Sequence, residues 1–258
     1  MFEINPVLVG ISAASVAAAS ALIGSLLVFR KMTLISDSLS HVALPGIAAG
    51  ILFHFNPLMG GILFLAAAIL LIWGIQWRTA LSFESVIGVF FVASLALGSL
   101  LIPEEDILEA FFGDISAVTA PQAVIQIVIA LAVIAVTAYL FKKFVLISIA
   151  PDLAYSVRTS RSAMDFLFLA LVALTITIGI SFVGVLLMSS LLIIPAVVAR
   201  NLARTLREYV AVSIAIGVAS LGGGIVIANS FPAVHPGIAT VLVGTLLFTA
   251  SLFFRRRS

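Results

Sequence analysis

Cysteine is missing from the chain altogether. No disulfide and no thiolate metal site can form, so any metal here is held by oxygen and nitrogen ligands, which suit Mn, Zn, Fe(II) or Ni better than Cu(I). Charge is nearly as scarce, 9% of 258 residues, against about 25% in an ordinary soluble domain. Lysine occurs only at positions 31, 142 and 143, none of them in the Gly-x-x-x-x-Gly-Lys-Ser/Thr pattern that cradles a nucleotide phosphate. Three histidines without a His-Glu-x-x-His run are poor material for an intramembrane metalloenzyme. No basic stripe carries interleaved aromatics, so the pI of about 9.3 describes something other than nucleic-acid binding. Long polar connections are also lacking: the longest, 103–121 and 142–163, leave no room for a soluble domain.

What fills the chain instead is apolar sequence, 63% of it, with a mean hydropathy of +1.32. Runs long enough to cross a hydrocarbon core of about 30 Å as helices recur throughout. The expected fold is all-α, a polytopic membrane helical bundle of about nine transmembrane helices, at 7–29, 33–54, 57–77, 83–102, 122–141, 164–180, 182–199, 208–229 and 237–254. The uncharged stretch Phe166–Ala199 exceeds the roughly 20 residues one crossing needs and should turn back on itself around Gly179 to Gly184. With nine spans and the N-terminus outside, all 13 Lys and Arg residues fall on one face, the cytoplasmic one by the positive-inside rule, and the C-terminus lies inside. Eight spans would break that segregation unless one segment were re-entrant. The N-terminus lacks a positive n-region and Arg30-Lys31 follows the first apolar run directly, so that run is expected to stay as a helix and not to be cleaved. Residues 1–258 read as a single membrane domain.

Ionisable groups within spans are expensive, about 2.5 to 3.5 kcal/mol each at a helix centre, and tend to mark pathways. In Ser36-Asp-Ser-Leu-Ser-His-Val-Ala-Leu-Pro-Gly46, Asp37 and His41 stand four residues apart. One helical turn puts their Cβ atoms about 5 to 6 Å apart on one face, so carboxylate and imidazole can share a cation. Glu84 lies six residues past Arg78, the same depth as Asp37 past Lys31. If the second and fourth spans are neighbours, Asp37, His41 and Glu84 form a partial metal site with positions open for exchange, which suits conduction better than storage. The structural alternatives are that Asp37 caps its helix beside Ser36 and Ser38, that His41 bonds a neighbouring helix, and that Glu84 compensates a helix dipole. Asp165 and Glu208 fit dipole compensation, and His54 and His235 fit surface or loop positions. Pro45-Gly46 and Pro195 interrupt two oppositely directed spans, as at a transporter site or as packed kinks. Gly222-Gly223-Gly224 reads as close helix packing. The acidic run Glu104, Glu105, Asp106, Glu109 and Asp114 reads as an outer solvated surface, or one where a partner docks. The largest inner connection, Ala150–Ala163, opens on Pro151-Asp152, which starts a helix well.

Met32-Thr-Leu-Ile-Ser-Asp-Ser-Leu-Ser-His-Val-Ala-Leu-Pro-Gly46 resembles the Asp-Ala-Leu-Ser-His-Ala-x-Leu-Pro-Gly signature of the permease subunits of manganese/zinc/iron-type ABC importers. The likeness continues through Glu84-Ser-Val-Ile-Gly88, Phe112-Gly-Asp-Ile115, Val183-Gly-Val-Leu-Leu-Met188, Ile194-Pro-Ala-Val-Val-Ala-Arg200 and Pro236-Gly-Ile-Ala-Thr-Val241, nearly the whole chain in register. The resemblance implies a multi-pass plasma or inner-membrane subunit, with a homodimer or a pair of similar subunits around a central pathway. It also implies two cytoplasmic ATPase subunits and an external metal-binding protein that delivers Mn, Zn or Fe as cargo, with no permanently bound cofactor. It places Asp37 and His41 on the metal pathway, with Glu84 as a further recurring acid, and puts the ATPase-coupling helix at Pro151, Asp152, Leu153, Ala154 and Tyr155. The family often has Gly near Arg158, and His235 beside Pro236-Gly237 is an addition. The chain would then be a transport subunit and not an enzyme. An ion-coupled secondary transporter, in which Asp37 or Glu84 exchanges protons, and a permease for a metal chelate such as a siderophore or vitamin are the competing readings.

Overall fold

In hydrocarbon every backbone N–H and C=O must be satisfied within the protein, so apolar runs of this length fold as helices. The computed structural model describes residues 6–79, 81, 83–102, 111–149, 161–231 and 233–254. Its helices are α1 (Pro6–Phe29), α2 (Thr33–Val42), α3 (Leu44–Leu52), α4 (Pro57–Arg78), α5 (Phe83–Leu101), α6 (Ala120–Ile149), α7 (Arg161–Leu202), α8 (Leu206–Ser230) and α9 (Pro236–Phe253). A 3-10 turn at Ile115–Ala117 precedes α6, and no strand occurs among the described residues. Among the described residues, seven segments are long and apolar enough to cross a membrane, α2 and α3 counting as one, and α5 is a shorter apolar helix beside them.

The long helix α7 is bent double. Straight, its 42 residues would reach about 63 Å at 1.5 Å per residue. Yet Asp165 near its start pairs with Arg30 at the end of α1, and Arg200 near its finish shares a cavity with Val28, Phe29 and Lys31. Both ends of α7 therefore lie at one end of the bundle. The reversal is at Gly184, φ 75 and ψ 169, after which Met188 lies back against Gly179. This is the turn expected near Gly179 to Gly184. That backbone region is essentially closed to residues with a Cβ, and a Cβ at 184 would also overlap the Phe111 carbonyl. Gly184→Ala is expected to lower stability by more than about 2 kcal/mol. Thermal unfolding of the detergent-solubilised protein, followed by size exclusion, checks this, and an unchanged midpoint would count against the reversal.

Around α7 the layers follow polarity in the membrane sense. The α2–α3 segment has the lowest hydropathy of the seven spans, 1.3, yet 72% of it is buried, whereas α6 at 2.6 is only 22% buried. Polar helices seek the bundle interior because lipid offers no hydrogen bonds, so α2–α3 is enclosed while α6 keeps most of its surface outside the bundle. Helix α1 is buried along Val16, Ala17, Ala19, Ser20, Ala21 and Ile23 and packs against α7, α8 and α6. Small residues allow these close crossings. Between α3 and α4, a Cβ on either Gly46 or Gly60 would overlap the other's carbonyl, and between α1 and α7 a Cβ on Gly24 would overlap the Leu192 carbonyl. Gly223 and Gly224 likewise pack on Val243 and Thr240 of α9, the close-packing role expected of the triple glycine, whereas Gly222 faces open space.

Candidate functional site

Helix α2 starts abruptly. Lys31 turns the chain at φ 58, and α2 begins at Thr33 with no side-chain cap. Asp37 therefore lies in the second turn, and the capping role is ruled out. The hydroxyls of Ser36, Ser38 and Ser40 donate back to the carbonyls of Thr33, Leu34 and Ser36 at 2.6, 3.1 and 2.8 Å, so they make no demand on the carboxylate. Asp37 reaches across to the second limb of α7, where Ser189 Oγ donates to Oδ1 at 3.1 Å. One turn on, His41 is 7% exposed, with its ring edge-on to Phe91 of α5 at 5.2 Å. Its Nδ1 is buried and has no hydrogen-bond partner among the described residues. Leaving such a nitrogen unmet costs about 1 to 3 kcal/mol.

The conditional neighbour relation of α2–α3 and α5 holds. His41 meets Phe91, and a Cβ on Gly98 would come within 2.9 Å of Leu44 Cβ. Glu84 stands two helical turns before Phe91 on α5, and its side chain lies outside the described residues. The coupling positions Pro151, Asp152, Leu153, Ala154 and Tyr155, and the acids Glu104, Glu105, Asp106 and Glu109, also lie outside them. Among the described residues no three or more His, Asp or Glu side chains are placed to hold one metal ion. Asp37 and His41 stand one turn apart on α2.

Of the two prolines, only Pro45 breaks a helix. Helices α2 and α3 part at Ala43, where the carbonyls of Ser40 and His41 accept backbone N–H groups at the break. Pro195 sits within the second limb of α7, packed on Gly217 of α8. His54 occupies the exposed turn between α3 and α4 at φ 56, where Asn56 caps α4 by accepting from Leu58 N–H at 2.9 Å. At that same end His235 stacks on Phe112 with ring centres 5.6 Å apart. There Gly113 lies against Gly184, and Gly237 against the Phe112 and Val183 carbonyls, so three motifs distant in sequence meet at the α7 reversal. Asp114 lines a cavity there with Ile47, Gln122 and Ser181.

Three partners escaped the reading of the sequence: Ser189, Phe91 and Arg30. Asp165 is more than dipole compensation, because it pairs with Arg30, whose guanidinium also lies 4.5 Å above the Phe168 ring. Glu208 keeps its expected place in the first turn of α8 and also closes a capping box, accepting from Arg204 N–H at 2.8 Å while Thr205 Oγ1 accepts from Glu208 N–H at 3.2 Å.

The sequence of the ABC 3 transport family matches residues 4–255. The chain belongs to that family. It is 32% identical over 241 residues to the high-affinity zinc uptake system membrane protein ZnuB of Haemophilus influenzae, covering 91% of this chain and 92% of that one. It is 29% identical over 248 residues to the manganese transport system membrane protein MntC of Listeria monocytogenes, with 95% and 88% covered. Its fold superposes on a chain of PsaBC from Streptococcus pneumoniae in complex with Fab, with a TM-score of 0.84 and 27% identity over 95% of this chain and 90% of that one. Like its relatives in the ABC 3 family, it is a multi-pass membrane protein.

Proposed function

We propose that this chain is the permease subunit of an ATP-driven importer in the plasma or inner membrane that conducts a divalent transition-metal ion, and that Asp37 and His41 are its stepping ligands. The observation that carries the reading is the buried, unpartnered His41 Nδ1 one turn from a carboxylate, both inside the span of lowest hydropathy, which is nonetheless largely enclosed. Oxygen and nitrogen ligation suits the zinc and manganese named for the relatives, and Fe(II) has the same ligand chemistry. Two ligands bind loosely enough to release the ion, and a second copy of the chain or the Glu84 carboxylate would complete the coordination during passage. With α7 counted as two limbs and α5 as a crossing, nine passes put the N-terminus outside and the C-terminus inside. In that arrangement an external metal-binding protein delivers the ion at the end where Phe112 meets His235, and two ATPase chains engage Pro151 to Tyr155 on the cytoplasmic side. ATP is hydrolysed on those chains and not on this one.

The test is uptake of radioactive Mn and Zn into cells or proteoliposomes containing the assembled transporter. Uptake is expected to continue when a protonophore collapses the proton gradient and to stop when the ATPase chain is withheld. Uptake driven by an imposed gradient without the ATPase would replace this reading with secondary transport.

A further inference from the structure

At the Arg30 end, Lys31, Arg200 and Arg204 line one cavity whose other wall is apolar, formed by Val28, Phe29 and Leu206. The three cations come from two places far apart in the chain: the left-handed turn after α1, and the exit of α7 into α8. None of them is in an ion pair among the described residues. The nearest acid in sequence, Glu208, is engaged at the start of α8 through the Arg204 N–H. On the far wall the Tyr209 hydroxyl donates to the Ser25 carbonyl at 3.1 Å, which fixes the ring and leaves an oxygen able to accept. A left-handed backbone at a residue with a long side chain is uncommon and persists only where its surroundings hold it. Here it brings Lys31 to the cavity that holds Arg200 and Arg204.

We propose that this cavity binds the headgroup of an anionic phospholipid, with the phosphate among Lys31, Arg200 and Arg204 and the first acyl carbons against Phe29 and Leu206. The cavity lies where three membrane-spanning helices end, at headgroup depth, and basic pockets between such helices are suited to anionic lipid headgroups. A soluble phosphate would leave the apolar wall unused. The leaflet concerned rests on the orientation proposed above, but the chemistry does not.

The experiment uses the assembled transporter in nanodiscs of mixed phosphatidylcholine and phosphatidylglycerol. Both leaflets then have the same composition, so the outcome is independent of orientation. Retained lipids are counted by native mass spectrometry. Wild type is expected to keep phosphatidylglycerol in preference, and each of Lys31→Gln, Arg200→Gln and Arg204→Gln is expected to cut the preference by about fivefold. Arg200→Lys and Arg204→Lys keep the charge and should keep most of it. Arg78→Gln, which removes a cation outside the cavity, should leave it unchanged. An equal loss with Arg78→Gln, displacement of the lipid by inorganic phosphate, or displacement on addition of the ATPase chains would each overturn the proposal. The last two outcomes would assign the cavity to free phosphate and to a protein contact.

Discussion

Alanine at Asp37 or at His41 is expected to stop Mn and Zn uptake while the protein still folds and assembles. The two side chains share a helical face within one turn, so on the proposed reading each supplies half of the ligand pair. Losing even a supporting group of a metal site typically weakens binding about 10- to 100-fold, and losing a direct ligand from a two-ligand site should do at least as much. The fold has little reason to suffer. His41→Ala removes the unmet Nδ1 and leaves a small gap beside Phe91. Asp37→Ala frees the Ser189 hydroxyl, which can bond back within its own helix as Ser190 does to the Leu187 carbonyl. Asp37→Asn sharpens the test, because its amide oxygen still accepts from Ser189 while the charge is gone. It is expected to be as inactive as alanine. Ser189→Ala should lower uptake less, since it unfixes the carboxylate without removing it. Radioactive uptake measured against membrane-expression and size-exclusion controls decides the matter, and normal uptake in both alanine variants would remove these residues from the pathway.

Much of this site was legible because membranes make polarity costly. A carboxylate and an imidazole in an apolar run of 20 residues stand out, and a four-residue spacing fixes their shared face whatever the tertiary arrangement. The doubling back of α7 was legible for a related reason: a stretch too long for one crossing must turn, and Gly184 is the residue that tolerates the turn. Ser189 and Phe91 were not legible. They lie 152 residues after Asp37 and 50 residues after His41, and nothing local in a serine or phenylalanine of an apolar helix says which neighbour it will face. The same holds for the meeting of Gly113, Gly184 and Gly237, three ordinary turn glycines until the helices bring them together. Asp165 misled for a subtler reason. An acid near a helix start needs no partner to be explained, so dipole compensation accounted for it before Arg30 was known to be close.

That pair carries the second large effect. The Arg30 side chain is 8% exposed and Asp165 32%, with Phe168 beneath the guanidinium. Removing one member of so enclosed a pair strands the other, which costs about 2 to 4 kcal/mol once the partial exposure of Asp165 is allowed for. The position matters more than the energy. Asp165 lies in the first turns of α7, ten residues after the segment proposed to dock the ATPase, and Trp73 ties the same turn to α4 by donating from Nε1 to Ser162 Oγ at 3.1 Å. Arg30 ends α1, and three residues later begins the helix that bears Asp37 and His41. If Asp37 and His41 hold the metal as proposed, a shift at the start of α7 would reach them through one ion pair and one tight turn. Asp165→Asn is expected to leave ATP hydrolysis running while metal moved per ATP falls by at least about fivefold, the lower range of a coupling between sites. Reversing both charges, Arg30→Asp with Asp165→Arg, should recover part of that ratio. The recovery stays partial because the cation no longer sits where it can lie over Phe168. A purely structural pair would lower hydrolysis and uptake in the same proportion, so measuring both in one proteoliposome preparation separates the two roles. An unchanged ratio of metal to ATP in Asp165→Asn would leave the pair as a fastening and place the transmission elsewhere.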